Sequence, residues 1–307
     1  MTPATAAAAA GAATSESTGG DVTVVTVTRN RRDGVVDAIE RHRKGGVLPP
    51  YILVDNASTD GTADAVRARH PEVVIVELPE NRGSVARNDG VLAARTPYVA
   101  FSDDDSWWAP GALEESAAVF AAYPRLGLLA ARTLVGPDER LDPVSAQLVA
   151  SPLGTDPDLP GPSVLGFLAC SAIVRRRAYL AVGGFEPLLF FLAEEMVLAV
   201  HLAAAGWGLS YVDEVVAHHH PPPGRPPSRA RRRLHGRNEL LGAWLCRPYP
   251  VAAARTARAV GAGLRDRDAD QLASVLALLP LLPAALARRE QPPRHIEDQL
   301  RLLERIG

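Results

Sequence analysis

The chain has 307 residues, 47% of them hydrophobic, a net charge of -2 and two cysteines. That length suits one large domain or two modest ones, and the near-neutral charge excludes a global field for nucleic acid or an anionic membrane. Cys170 and Cys246 are too few and too far apart for a disulfide framework or a zinc site, which fits a reduced, cytosolic setting.

Residues 1–20 are Ala, Thr, Ser and Gly with almost no large apolar side chains. They lack the basic and Leu-rich regions of a secretory leader and read as a disordered tail. Residues 21–28 are β-branched and read as a buried strand. Residues 33–44 have helical spacing through Val36, Ala38 and Ile39. Strands follow at 51–54, 73–78 and 98–102, and helices at 62–69, 84–94 and 111–122. Strands spaced by helices of this length imply βαβ units and a parallel sheet. Ligands of such sheets sit beyond the carboxyl ends of the strands. At those ends the chain carries Thr28-Arg29-Asn30, Asp55-Asn56 and Asp103-Asp104-Asp105.

Residues 134–163 are rich in Pro, Gly and Asp and read as a long loop with a short helix at 145–149. A strand is expected at 170–174, a helix at 194–205 ended by Gly206, and a last strand at 209–212. His218-His219-His220, a proline cluster and a basic helix at 229–237 come next. The remainder is helical with proline breaks. Its most apolar stretch, 272–287, is interrupted by Pro280 and Pro283 and is short for a membrane span. It reads as two helices packed on the domain, or as an interfacial contact.

The acidic triplet 103–105 ends the apolar run Pro97-Tyr98-Val99-Ala100-Phe101. Like charges ~4 Å apart repel by about 4 kcal/mol near a protein surface. A divalent cation offsets that repulsion, and oxygen ligands suit Mg²⁺ or Mn²⁺; a solvated acidic turn is the alternative. In the loop 54–62, Asp60 or Ser58 caps the next helix and Gly61 eases the turn. Asp55 is placed to accept a hydrogen bond from a ligand N–H. The loop 81–90 enters a helix whose start favours anions, and Arg82 and Arg87 add positive charge. Glu194 and Glu195 open a helix, where the dipole favours carboxylates, and both are candidates for a general base. A neutral imidazole is a common metal ligand, so the triple His is either a metal site or a polar loop. Trp107 and Trp108 either stack on a sugar or pack in the core. Arg225, Arg229, Arg231, Arg232, Arg233 and Arg237 form a basic run.

Taken in order, Thr26-Val27-Thr28-Arg29-Asn30, Val54-Asp55-Asn56-Ala57-Ser58-Thr59-Asp60-Gly61-Thr62, Asn81-Arg82-Gly83 with Arg87-Asn88, and Asp103-Asp104-Asp105 resemble the family 2 glycosyltransferases. Val182-Gly183-Gly184-Phe185, Ala193-Glu194-Glu195 and Ala205-Gly206-Trp207 leading to Tyr211-Val212 agree, so the resemblance runs from about residue 22 to about 220. It implies a GT-A fold: a Rossmann-like, mostly parallel central sheet flanked by helices, here with a helical C-terminal extension. The expected organisation is a tail at 1–20, a GT-A domain at 21–222 and an extension at 223–307. The domain divides into a nucleotide-binding half at 21–107 and an acceptor half at 108–222.

The resemblance further implies inverting transfer from a nucleotide-sugar to a glycan, lipid-linked or small-molecule acceptor, with Mg²⁺ or Mn²⁺. By position, Thr28 and Asp55 would hold the nucleobase, with Arg29, Asn30 and Asn56 in the same loops. Arg82 and Asn88 would line the nucleotide pocket. Asp103 would meet the ribose or the metal shell, with Asp104 beside it. Asp105 would bind the metal on the diphosphate, in a DxD motif. His219, with His218 close behind, fits the position of a metal-binding His. Glu195 would be the base, beside Glu194. The basic run would close over the diphosphate; a phosphate-bearing lipid acceptor is another reading of it.

The chain departs from the pattern at Val197 and His201, where the family often has Asp and Arg. A nucleotide-sugar-binding protein without transferase activity is therefore the alternative. A nucleotidyltransferase would share the sheet and acidic ligands, but would carry a Gly-rich loop after the first strand; residues 28–34 hold a single Gly. The expected location is cytoplasmic, with peripheral contact at the inner face of the membrane left open. Nucleic acid is not an expected partner.

Overall fold

A computed structural model describes residues 20–44, 46–221 and 228–306. The expected tail at 1–20 (apart from Gly20), the proline cluster and Arg225 lie outside the described residues. The first half alternates strand and helix: β1 (Val22–Thr28), α1 (Arg32–Arg43), β2 (Tyr51–Asp55), α2 (Thr62–Arg69), β3 (Val74–Glu77), α3 (Arg87–Ala93), β4 (Tyr98–Ser102), β5 (Ser106–Trp108) and α4 (Ala112–Ala122). A one-turn 3₁₀ helix, Gly83–Ala86, leads into α3. There follow β6 (Leu126–Val135), β7 (Arg140–Leu141), α5 (Pro143–Val149), β8 (Ala172–Arg175), α6 (Arg176–Ala181), α7 (Glu194–Ala204) and β9 (Gly208–His219). The rest is helical: α8 (Arg229–Cys246), α9 (Tyr249–Arg265), α10 (Ala269–Leu278), α11 (Leu282–Ala287) and α12 (Arg294–Ile306).

Among the described residues the strands form one sheet in the order β3-β2-β1-β4-β8-β6-β9-β5, with β7 paired to β6. The four strands β3, β2, β1 and β4 are parallel. Antiparallel pairs enter at β4–β8, β8–β6 and β9–β5, while β6 and β9 run parallel. The sheet is therefore mixed in its second half, a GT-A arrangement with a helical C-terminal extension.

Successive strand residues face opposite sides, and both faces are covered. Val25, Val54 and Phe101 pack towards α6, α7 and α8 through Tyr179, Leu198 and Leu241. Val24, Leu53 and Ala100 pack towards α1, α2 and α4 through Ile39, Val66 and Phe120. Burial on both faces is why β1, β2 and β4 read as continuous apolar or β-branched runs.

Three differences from the sequence expectations stand out. Residues 126–135 carry no expected element, yet form the ten-residue strand β6 in the middle of the sheet. Its Leu- and Ala-rich run has too few β-branched residues to distinguish a buried strand from a buried helix. The last strand is longer than expected, because β5 pairs Ser106 with His219 and Trp107 with His218. His218 and His219 therefore belong to a strand and not to a loop after it. Cys170 lies in a 3₁₀ turn, Ala169–Ser171, just before β8. The apolar stretch forms two helices as expected, α10 and α11, joined by a 3₁₀ turn at Leu279–Leu281; together they make a run, Ala269–Ala287, long and apolar enough by length and composition to cross a membrane, with 22% of its apolar window buried.

Candidate active site

The parallel register sets Thr28 beside Asp55 and Thr26 beside Ser102. The ends of β1, β2 and β4 thus bring their polar loops to one edge, as a parallel sheet requires. The acidic turn closes on itself: Asp103 N donates to Ser106 Oγ at 2.7 Å and Ser102 Oγ donates to the Ser106 carbonyl at 2.8 Å.

Each carboxylate of the triplet has its own partner. The buried Arg87 guanidinium donates from Nη2 to Asp103. Asp104 accepts from Thr28 Oγ1 at 2.8 Å and from Arg31 Nε at 3.2 Å. Burial still pushes Asp104 above the usual carboxylate range, against the pull of Thr28 and Arg31. Asp105 lies 3.5 Å from His219 Nε2. Burial works against a charged His219, but its bond to Asp105 and the charges of Asp105 and Asp103 prevail and raise it above an ordinary imidazole. The chain's own cations thus offset much of the repulsion that a metal alone was expected to relieve. A cavity of ≈ 200 Å³ opens against Asp104 and Asp105, with Arg31, Arg41 and Trp107 in its wall.

Several expected ligand residues are spent on the loops themselves. Asp55 Oδ1 accepts from Ser58 N at 2.9 Å. Asn56 donates to the Gly83 carbonyl at 3.0 Å and accepts from Arg82 N at 2.8 Å, which ties one loop to the other. Asn30, at φ 54°, accepts from Thr59 N at 2.7 Å, and Arg29 Nε reaches the Ala57 carbonyl at 3.4 Å. Arg82 holds both oxygens of Asp89, at 2.8 and 2.7 Å. Asn88 is the most fully engaged of them. Its amide clamps Phe185, donating to the carbonyl and accepting from N–H at 3.0 Å each, and also accepts from Tyr179 Oη. Asn88 therefore fastens the Gly183-Gly184-Phe185 turn to α3.

His218 lies apart from Asp105. Neighbours on a strand point to opposite faces, so His218 and His219 diverge. His218 stacks on Trp107 with centroids 5.2 Å apart, and its Nδ1 lies 3.3 Å from Glu139. Asp103, also expected as a metal ligand, is engaged by Arg87. Asp105 and His219 remain as one carboxylate and one imidazole side by side. The carboxylate suits Mg²⁺ or Mn²⁺ when further oxygen ligands come from a phosphate, and a neutral imidazole can add a nitrogen ligand. Among the described residues, no three His, Cys, Asp or Glu side chains converge into a complete cage.

The acceptor side is built on the first turn of α7. Glu194 is buried and its Oε2 has no hydrogen-bond partner. Burial, and then the charge of Glu194, push Glu195 up to about 7; Arg87 pulls the other way. Arg87 therefore lies within electrostatic reach of Asp103, Glu194 and Glu195 together. Sequence reasoning counted Arg87 only as loop charge, and no local signal marks its central place. Val197 packs in the core, and His201 Nε2 is 3.7 Å from Cys246 Sγ under α8. Both departures from the family pattern thus lie in packing positions. Trp108 is a core residue at 3% exposure, whereas Trp107 lies against Arg41. In the basic run, Arg229, Arg232 and Arg233 pair with Asp270 of α10, and Arg231 stacks on Phe191.

The family model for glycosyl transferase family 2 matches residues 23–183, just over half of the chain. The chain belongs to this family. The glycosyltransferase is similar to N-acetylglucosaminyl-diphospho-decaprenol L-rhamnosyltransferase of Mycobacterium tuberculosis, at 29% identity over 212 residues, 58% of this chain and 69% of that one. It is also similar to the pre-mycofactocin glycosyltransferase of the same species, at 29% identity over 64% of this chain and 42% of the relative. Among solved structures, the mannosyltransferase PcManGT of Pyrobaculum calidifontis, in complex with GDP-Man and Mn²⁺, superposes with a TM-score of 0.58 at 22% identity, covering 86% of this chain and 87% of that one. S. aureus TarS 1-349 in complex with UDP-GlcNAc gives 0.58 at 16% identity, with 87% of each chain covered. These neighbours share the GT-A fold of the glycosyltransferase.

Proposed function

We propose that this glycosyltransferase moves a sugar from a nucleoside-diphosphate-sugar to a hydroxyl of a glycan or lipid-linked acceptor, with inversion, and that Glu195 is the base. One observation carries the reading: Arg87 pairs with Asp103 on the acidic turn and lies within electrostatic reach of Glu194 and Glu195 on α7. The field of one buried cation therefore acts on carboxylates of both the donor side and the acceptor side. A carboxylate raised to about 7 accepts a proton near neutral pH better than an ordinary one. The acceptor oxygen attacks the anomeric carbon as its proton passes to Glu195. The diphosphate leaves from the opposite face, which inverts the anomeric centre. Asp105 and His219 would hold Mg²⁺ or Mn²⁺, which when bound neutralises charge on the leaving diphosphate. The lipid-linked acceptor class is supported by the name of the rhamnosyltransferase relative.

A thermal-shift screen against UDP, GDP, dTDP and their sugars, with and without Mn²⁺, tests this. At a hundredfold excess over Kd, binding adds about 2.7 kcal/mol of stability. That shifts the melting temperature of a chain of this size by several degrees. One nucleotide is expected to give a Mn²⁺-dependent rise that Asp105→Ala abolishes. No rise with any nucleotide would remove the donor site and the reading with it.

A further inference from the structure

Residues 189–193 form a strap that leads into α7. Phe190, Leu192 and Ala193 have φ of 60°, 74° and 59°, a region that side chains of this kind rarely occupy. Such conformations persist only where the surroundings hold them. On one side, the Phe190 carbonyl accepts from Ser84 N at 2.7 Å and from Ser84 Oγ at 2.9 Å. On the other, Asn238 of α8, wholly buried, donates through Nδ2 to the carbonyls of Leu189, Phe191 and Leu192, each at 2.7 Å. Its Oδ1 accepts from Arg237 Nε at 2.9 Å and Nη2 at 2.6 Å. Guanidinium only donates and carbonyls only accept, so this amide has a single workable orientation. The strap ends at Ala193, directly before Glu194 and Glu195. One turn further along α8, Gly242 lets the helix approach α7; a Cβ there would lie 2.8 Å from Met196 Cε. Helix α8 therefore grips both the strap and the helix that carries the carboxylates.

We propose that Asn238 is the positioning residue for the catalytic base: by holding the strained strap 189–193, it sets the direction of the Glu195 carboxylate. This rests on the assignment of Glu195 made above. Asn238 lies outside residues 23–183, the part of the chain that the family model matches, so the helical extension supplies a piece of the acceptor site. Three carbonyls share the two N–H groups of one side chain. Without them, the strap relaxes and the first turn of α7 shifts. A displacement near 1 Å costs about a hundredfold in rate.

Asn238→Asp keeps the volume and the Arg237 pair but removes both donors; Asn238→Ser keeps one donor. Turnover of UDP-GlcNAc, GDP-mannose or dTDP-rhamnose with Mn²⁺, whichever the unsubstituted chain consumes, is measured on the full chain together with hydrogen exchange. For Asn238→Asp, kcat is expected to fall about a hundredfold with the donor KM within about twofold. Exchange is expected to rise across residues 189–196 and to stay unchanged in β1–β4. Asn238→Ser is expected to recover part of kcat. A kcat near that of the parent, or a kcat lowered only in step with the folded fraction, overturns the proposal. If the unsubstituted chain consumes none of the three donors, the transferase reading is what fails. Hydrogen exchange then decides the strap alone, and unchanged exchange across 189–196 in Asn238→Asp sinks it.

Discussion

Glu195 sits in a low-dielectric position with a second carboxylate beside it, and both circumstances favour its protonated form. Its folded-state value of about 7 lies above the 4.5 of an unperturbed Glu. Between those two values the folded chain binds the proton and the unfolded chain does not. Stability from this group is therefore full at the acid end and is lost as pH rises through about 7. Glu195→Gln removes that dependence, so the variant should gain in melting temperature relative to the parent as pH rises through the same window. Its turnover should fall by about 10²–10⁴, and the parent's rise in turnover with pH should vanish. A variant that kept full turnover would take the base role away from Glu195. The two glutamates were legible in sequence as an acidic pair at a helix start. The burial of Glu194 was not, because burial is set by elements that pack from elsewhere in the chain.

At the scale of elements, the site depends on loops that fasten one another. Asn56 ties the β2 loop to Gly83, and Ser84 ties that segment to Phe190. Gly83 is the hinge of this chain of contacts. Its φ is +61°, and a Cβ there would lie 2.1 Å from the Phe190 carbonyl oxygen. Gly83→Ala must push the strap away or distort its own backbone. We expect a loss of about 1–3 kcal/mol, read as a lower urea midpoint with an unchanged slope. The alternating elements of the first half were readable from period and burial, since β1, β2 and β4 are apolar on both faces. Strand β6 was not, because Leu and Ala runs serve buried helices equally well.

Over the whole molecule, the first and last helices of the extension are tied to one another by a buried arginine. Arg247, at the end of α8, donates from Nε to Glu297 of α12 at 2.7 Å and also pairs with Glu304. Its side chain is 2% exposed and that of Glu297 is 7%. Burial alone would raise Glu297, but Arg247 and then Arg301 hold it below the usual range. Arg247→Met leaves that carboxylate buried beside only Arg301. Breaking a buried pair on one side costs about 3–5 kcal/mol. Chemical unfolding should show this loss, and Glu297→Gln in the same background should recover part of it. A cost below about 1 kcal/mol, the worth of a surface pair, would mean that the arginine is solvated.

The sequence by itself determined the order of strands and helices through β4, the edge of the sheet that carries chemistry, and the family. Each of these rests on local signals: β-branched runs, helical spacing, and polar groups at strand ends in a characteristic order. Only the tertiary structure decided which of those polar groups are free. Asn56, Asn88 and Arg82 proved to be fasteners. His218 turned away from Asp105 because strand neighbours face opposite sides. Arg87 and Asn238 gained their places because a hydrogen bond or an electric field acts through space. Arg87 meets Asp103 16 residues later in the chain, and Asn238 meets Leu189 49 residues earlier. No local pattern carries that information.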